Sequence, residues 1–282
     1  MRKFHLATMT LMKFLAVALS LAPLLAQAPN TLTAAEAKAG WKLLFDGKSF
    51  AGWRDPAKMN PPGTAWVISD GCLKTVPHAA MREDLLSAGE YGDFELTFEW
   101  KISPGGNSGV KYRIQDIALL VVDGRAENKL PFEKQIDYEL THKTNKRNGI
   151  AAGQKFESYP VAFEFQTIDD ERHPDALSKP VSVSGALYSM IPPSKRMAKP
   201  AGEFNQGRIV LRGNHVEHWL NGEKVVDADL NDPRIVQGLA KRWGENSPVY
   251  QLLTRQPKKK APISLQHHVD EAWFRNIKIR PL

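Results

Sequence analysis

The sequence predicts an all-β protein, a β-sandwich or jelly roll of antiparallel strands carrying long loop insertions. Three observations predict it. First, Phe94, Leu96, Phe98, Trp100 and Ile102 alternate strictly with Glu95, Thr97, Glu99 and Lys101, the period of a strand with one packed face and one polar face. Second, about ten or more short apolar runs are separated by Gly, Asn, Asp and Pro. Third, helical periodicity is nearly absent, with Pro233–Arg242 the one candidate helix.

The elements follow in order. Lys42–Phe45 reads as a strand stopped by Asp46-Gly47. Trp66–Ile68 and Cys72–Lys74 flank Ser69-Asp70-Gly71, a tight hairpin signal. Phe94–Ile102 is followed by a Gly105-Gly106 turn and Val110–Ile114. Tyr159–Ile168 sets Phe163 and Phe165 opposite Glu164 and Gln166. Gly207–Arg212, Val216–Leu220 and Lys224–Ala228 come next, the last two joined by Asn221-Gly222, a strong two-residue hairpin turn. Ile263–His267 and Ala272–Ile279 close the domain. Residues 115–158 and 238–262 interrupt this rhythm and read as long surface insertions.

Composition bounds the rest. At 282 residues and 42% hydrophobic, the chain can bury a substantial core. Residues 1–28 read as a secretory signal: Arg2, Lys3 and Lys13 precede or flank an apolar run from Phe14 to Leu25, too short to span a membrane, and Ala26-Gln27-Ala28 offers a cleavage site. Pro29 is a poor neighbour for the peptidase, so cleavage after Ala35, Ala37 or Ala39 is also open. Residues 29–40 read as a leader or tether and 41–282 as one domain. Export to the periplasm or medium of a bacterium follows. The net charge of +7 falls to +4 without the three basic residues of the signal, and Lys258-Lys259-Lys260 between prolines reads as a solvated loop, so nucleic acid is not an expected partner. With Cys72 alone, neither an internal disulfide nor a cysteine zinc site can form.

The sharpest chemical cluster is Glu164, Gln166 and Asp169. Glu164 and Gln166 share a strand face; Asp169 joins them only through a one-residue bulge. Two carboxylates on one face suit glycoside chemistry, whereas Asp169-Asp170-Glu171 also reads as an acidic turn. Arg113 offers a permanently charged fork, or a salt bridge to a neighbouring strand. Asn107 suits sugar hydroxyls, or a turn. His173, His218, His267 and His268 titrate nearest neutrality. Gln266 and His268 share the polar face of their strand, while His218 lies with Val216 and Leu220 and reads equally as a packed core residue. Tyr188 can stack on a sugar or simply pack. No cofactor is expected; a divalent ion near Asp169, Asp170, Glu171 and His173 is the one metal option, and such acidic loops are more often solvated.

Trp41-Lys42-Leu43-Leu44-Phe45-Asp46-Gly47 with Gly52-Trp53, Gly106–Arg113, Phe163–Gln166, Gly185-Ala186-Leu187-Tyr188, Pro200–Asn205, His218–Gly222 and Phe274–Ile279 occur in the order of the 3-keto-disaccharide hydrolase domain, which the chain resembles from about residue 41 onward. The resemblance implies a concanavalin A-like jelly roll and cleavage of glycosides oxidised at C3, downstream of a sugar 3-dehydrogenase. Three departures stand out: the 115–158 insertion, Gln266-His267-His268-Val269-Asp270 in place of a Gln-Asp-His-Gly run, and Phe165 in place of Tyr. On this reading His268, His173 or Glu164 removes the C2 proton, Arg113 and Asn107 steady the enolate, Asp169 assists departure of the aglycone and water adds back. The remaining binding residues are Gln166, Tyr188, His218 and Gln266. The expectation requires Arg113, Glu164 and Gln266 to line one groove. Two alternatives stay open: a non-catalytic lectin-like module, and an ordinary retaining glycosidase using Glu164.

Overall fold

The alternation of β7 (Phe94–Ile102) is realised in full: Phe94, Leu96, Phe98, Trp100 and Ile102 are all buried in the main core. The computed structural model describes residues 27–56, 64–121, 126–144, 155–255 and 257–282, so the predicted signal lies almost wholly outside the described residues. The other strands are β1 (Lys42–Leu43), β2 (Trp53–Arg54), β3 (Trp66–Ser69), β4 (Cys72–Thr75), β5 (Met81–Arg82), β6 (Leu85–Ser87), β8 (Asn107–Val121), β9 (Phe156–Ile168), β10 (Asn205–Arg212), β11 (His215–Leu220), β12 (Glu223–Asp229), β13 (Ser264–Leu265) and β14 (Ala272–Pro281). They form two sheets. One runs β12-β11-β10-β7-β14-β4-β3 with β1 on β14, and the other runs β2-β6-β13-β8-β9-β5. Every pairing is antiparallel except β5 with β9.

The sheets pack face to face through aromatic side chains. Phe98 of the larger sheet meets Phe165 of the smaller edge-on, centroids 5.3 Å apart, and Phe94 meets Tyr112 at 6.4 Å. Because Val110, Tyr112, Phe163 and Phe165 point inward, period 2 sends Asn107, Gly109, Lys111, Glu164 and Gln166 to the outer face of the smaller sheet. That parity positions the site.

The two predicted insertions are largely folded structure. β8 and β9 extend into the first insertion as paired strands, with Asp116–Val121 opposite Phe156–Val161. The helix α2 (Phe132–His142) lies between them and buries Ile136 and Leu140 into the main core. In the second insertion α4 (Pro233–Trp243) matches the predicted helix. A further helix, α5 (Pro248–Thr254), is capped by Ser247, whose Oγ accepts from the Val249 N–H at 3.1 Å. Residues 29–40 are not a loose tether. They hold α1 (Ala34–Lys38), Asn30 is buried, its Nδ2 donates to the Gly71 carbonyl at 2.8 Å and its Oδ1 accepts from the Asn276 N–H at 2.8 Å. Glu36 pairs with Lys278 at 2.7 Å.

One irregularity decides the fate of a predicted residue. Tyr112 faces Phe163 and Asp116 faces Val161, so residues 113–115 of β8 stand opposite Ala162 alone. This bulge puts Arg113 in the left-handed region, φ 56°, and breaks the alternation that its sequence position implies.

Candidate active site on the outer face of the smaller sheet

A cavity of about 340 Å³ opens on the polar face of the six-stranded sheet. Five of the residues expected from sequence line it together with Glu164: Asn107, Gln166, Tyr188, Gln266 and His268. Glu164 stands at its buried edge. Gly109 makes that placement possible, since a Cβ there would lie 2.0 Å from Glu164 Oε1. Among the described residues no group donates a hydrogen bond to this carboxylate. Burial pushes its pKa up to about 7, against the pull of Lys111 and Arg242.

Lys111, directly opposite Glu164 across β8 and β9, is buried and bonded to Asp84 at 2.9 Å. Asp84 is itself fully engaged, accepting from Ser264 Oγ at 3.0 Å and from the His267 N–H at 3.2 Å. Burial opposes the Lys111 charge, but Asp84 and Glu164 outweigh it and hold the ammonium above its ordinary pKa. A fixed positive charge therefore sits beneath the cavity floor.

The amides are arranged for hydroxyl ligands. Gln166 Nε2 donates to Asn107 Oδ1 at 3.0 Å, which leaves Asn107 Nδ2 as the donor still to be used. Gln266 Oε1 and His268 Nδ1 are buried without hydrogen-bond partners. Burial drives the His268 imidazole down to about 4, so it is neutral near pH 7. His173 caps the helix α3 (Pro174–Ser178), its Nδ1 accepting from the Asp175 N–H at 3.1 Å, and its ring stands 6.5 Å from that of His268. It does not line the cavity.

Three expected residues are elsewhere. Arg113 is carried off the face by the bulge and donates to the Gly213 carbonyl at the β10–β11 turn. Asp169 is not brought round to Glu164, because β9 runs in regular register from Phe163 to Ile168. Instead Asp169 accepts from the Gly105 N–H at 2.7 Å and the Glu171 N–H at 3.0 Å, and pairs with Arg172. Burial works against its charge, yet these donors hold the carboxyl below its ordinary pKa. His218 is a core residue between Tyr112 Oη at 2.9 Å and the Gly185 carbonyl at 3.1 Å, and burial lowers it to about 4. His267 is likewise interior, bonded to the Val76 carbonyl at 2.9 Å. Asp170 accepts from the Ser184 N–H at 2.8 Å. Among the described residues, the His and carboxylate groups that converge to ligand spacing are His215, Glu217 and Asp227 on the exposed β11–β12 edge, where Lys224 already binds Glu217 and Asp227.

Sequence reasoning missed Arg82, Glu157, Tyr159 and Arg242 in the cavity wall. Arg82 pairs with Glu157 at 3.0 Å and Arg242 with Glu133 at 3.4 Å, and the Arg242 guanidinium lies 5.2 Å from the Tyr188 ring centre. Glu157 lies in the first segment read as a surface insertion, and Arg242 lies at the end of the candidate helix Pro233–Arg242 where it runs into the second, so only their surroundings of charged residues could have marked them. Lys111 had a signal, its place on the Asn107–Gly109 face.

Comparison with known proteins agrees with this architecture. A 3-keto-disaccharide hydrolase of Bacteroides thetaiotaomicron is 32% identical over 256 residues, 86% of this chain and 79% of that protein. A Parabacteroides distasonis structure, provisionally assigned as a glycosyl hydrolase, superposes with TM-score 0.65 at 26% identity, covering 90% of this chain and 100% of the other. A second from the same organism, with the same provisional assignment, gives TM-score 0.54 at 26% identity, covering 86% and 99%. The family model described as the 3-keto-alpha-glucoside-1,2-lyase-like domain matches residues 40–280, and the chain belongs to that family.

Proposed function

We propose that this protein cleaves the glycosidic bond of 3-keto-glycosides by proton abstraction at C2, elimination and hydration. The observation that carries the reading is Glu164: a carboxyl with pKa about 7, without a hydrogen-bond donor, facing a cavity lined by amide and imidazole groups. A base serves best when its pKa lies near the working pH. A ketone at C3 acidifies the C2–H. Glu164 takes that proton, and the electron pair moves into the C2–C3 bond and onto the ketone oxygen. Asn107 Nδ2, Arg242 and the field of buried Lys111 stabilise the negative oxygen. Collapse of the enolate restores the C3 carbonyl, moves the C2–C3 electron pair into a C1–C2 double bond and breaks the bond from C1 to its substituent, whose oxygen receives a proton from Glu157 or Tyr188. Water then adds to the resulting C1–C2 double bond. Neutral His268 is the second group able to relay a proton.

The test is product analysis on a 3-keto-disaccharide beside its unoxidised parent. Selective cleavage of the keto substrate, abolished by Glu164→Gln with binding retained, supports the reading; equal cleavage of the parent rejects it. Glu157 and Glu164 line one cavity, which supports the retaining-glycosidase alternative, and cleavage of the parent is its signature. Turnover of neither, with binding of both, means a lectin-like module.

A 3-keto substrate requires an upstream oxidation of the sugar ring, so a sugar 3-dehydrogenase is the proposed partner in sequence. Export is proposed from the apolar run Phe14–Leu25. The buried contacts of Asn30 support cleavage after Ala28 over cleavage after Ala35, Ala37 or Ala39. Mass analysis of the mature N-terminus decides it.

A further inference from the structure

The first insertion brings to the cavity of Glu164 an aromatic ring that its place on a helix would otherwise bury. In α2, Phe132, Ile136 and Leu140 stand four residues apart and so share one helix face. Ile136 and Leu140 are buried in the main core, but Phe132 is 36% exposed. The difference is what lies beneath each of them. Ile136 and Leu140 meet the core, whereas Phe132 lines the cavity of Glu164. Among the described residues the exposed large hydrophobic side chains are Val67, Leu130, Phe132, Leu177 and Leu282, and Phe132 is the one in that wall.

The ring is held in place from several sides. Glu133 and Asp137, again four residues apart, reach the second insertion: Arg242 Nε donates to Glu133 at 3.4 Å, and Ser247 Oγ donates to Asp137. At the helix start, Gln135 Nε2 donates to the Leu130 carbonyl at 2.8 Å and so closes the turn that leads into Phe132. The Tyr159 ring stands nearly perpendicular to that of Phe132, at 80° with centroids 5.4 Å apart, and is itself 5.9 Å from Trp243 of α4. A contact surface fixed in advance has little freedom left to lose on binding. An apolar ring set among Asn107, Gln166, Gln266, Arg82 and Arg242 fits a ligand with hydroxyl edges and one apolar face, which describes a pyranose.

We propose that Phe132 is a substrate-binding residue of this site, an aromatic platform for the C–H face of a pyranose ring. The inference rests on the function proposed above. It assigns recognition to Phe132 and no step of the chemistry, since the side chain has no polar atom with which to move a proton.

The experiment measures steady-state kinetics on a 3-keto-disaccharide for wild type and for Phe132→Ala, Phe132→Leu and Phe132→Tyr, with Tm alongside. Phe132→Ala should raise KM about tenfold, a loss of ~1.4 kcal/mol, with kcat within about twofold, because binding is lost equally from the ground and transition states. Phe132→Leu keeps apolar bulk without the ring and should behave like the alanine variant. Phe132→Tyr keeps the ring and should restore KM to within about twofold of wild type. A leucine variant equal to wild type, or a fall in kcat that tyrosine does not rescue, overturns the platform and leaves Phe132 a packing residue of α2. If wild type turns over no keto substrate, the proposed function fails, and isothermal titration with the unoxidised disaccharide decides Phe132. Affinity lost in Phe132→Ala and kept in Phe132→Tyr supports the platform; equal affinity in wild type and Phe132→Ala, or binding by neither, overturns it.

Discussion

Gly109→Ala is the most direct probe of the Glu164 carboxylate. Gly109 lies within β8 with no positive φ, so alanine suits its backbone and restricts the unfolded chain, a gain of ~0.4–1 kcal/mol. The new methyl would lie 2.0 Å from Glu164 Oε1 and 2.7 Å from Cδ, against an ordinary contact of 3.4 Å or more. The carboxylate must therefore retreat by roughly 1.4 Å. A misplacement of ~1 Å costs a positioned catalytic group on the order of 100-fold, or ~2.7 kcal/mol of barrier. The expected result is a ~100-fold fall in kcat on a 3-keto-disaccharide with Tm within a few degrees of wild type. Turnover within about threefold of wild type, with folding intact, would refute the placement of Glu164 at the reacting carbon.

The other predictions concern protons and the residues outside the cavity. Glu164 has a folded pKa of about 7 against 4.5 for the free side chain, so the folded state holds this proton more tightly and stability is lost as pH rises from about 4.5 through about 7. Glu164→Gln should remove a penalty approaching ~3 kcal/mol at pH 8 and change little at pH 4.5, read by urea unfolding at both; wild-type turnover should rise with pH through about 7. His218 behaves oppositely: its folded pKa of about 4 lies below the ordinary imidazole value of 6.5, so stability falls as pH drops from 6.5 toward 4, and His218→Gln should flatten that acid limb in thermal melts. Arg113→Gly and Asp169→Asn should keep turnover within about twofold, and Asp169→Asn should cost ~1–2 kcal/mol of stability through weakened bonds to the Gly105 and Glu171 amides.

Sequence period proved a good guide to faces and a poor one to exceptions. Phe94–Ile102 and Phe163–Gln166 could be assigned to their sides by alternation alone, and with them Glu164 and Gln166; Asn107 reads from sequence as a sugar ligand or a turn residue, because the apolar run begins at Val110 while β8 begins at Asn107. Gln266 and His268 followed from the same rule although β13 itself covers only Ser264–Leu265. Arg113 failed because a bulge leaves no mark in the residues 112–116. Asp169 failed for the converse reason, since the bulge it needed does not occur in β9. The charged wall was illegible because Arg82, Glu157 and Arg242 reach the cavity from β5, the extended start of β9 and α4, elements whose approach is set by tertiary packing. His218 illustrates the limit of residue type: among Val216 and Leu220 its partners Tyr112 and Gly185 come from distant chain segments.

The docking of Asn30 bears on how this protein should be produced. A truncation beginning at Trp41, the first residue of the recognisable domain, would strip the partner from the Gly71 carbonyl and from the Asn276 N–H, and leave Lys278 without its carboxylate. Those groups hold the hairpin of β3 and β4 against the irregular stretch of β14. Recombinant material lacking residues 29–40 would then carry a loosened sheet margin, and poor solubility in such a preparation would reflect the chosen start point and not the domain.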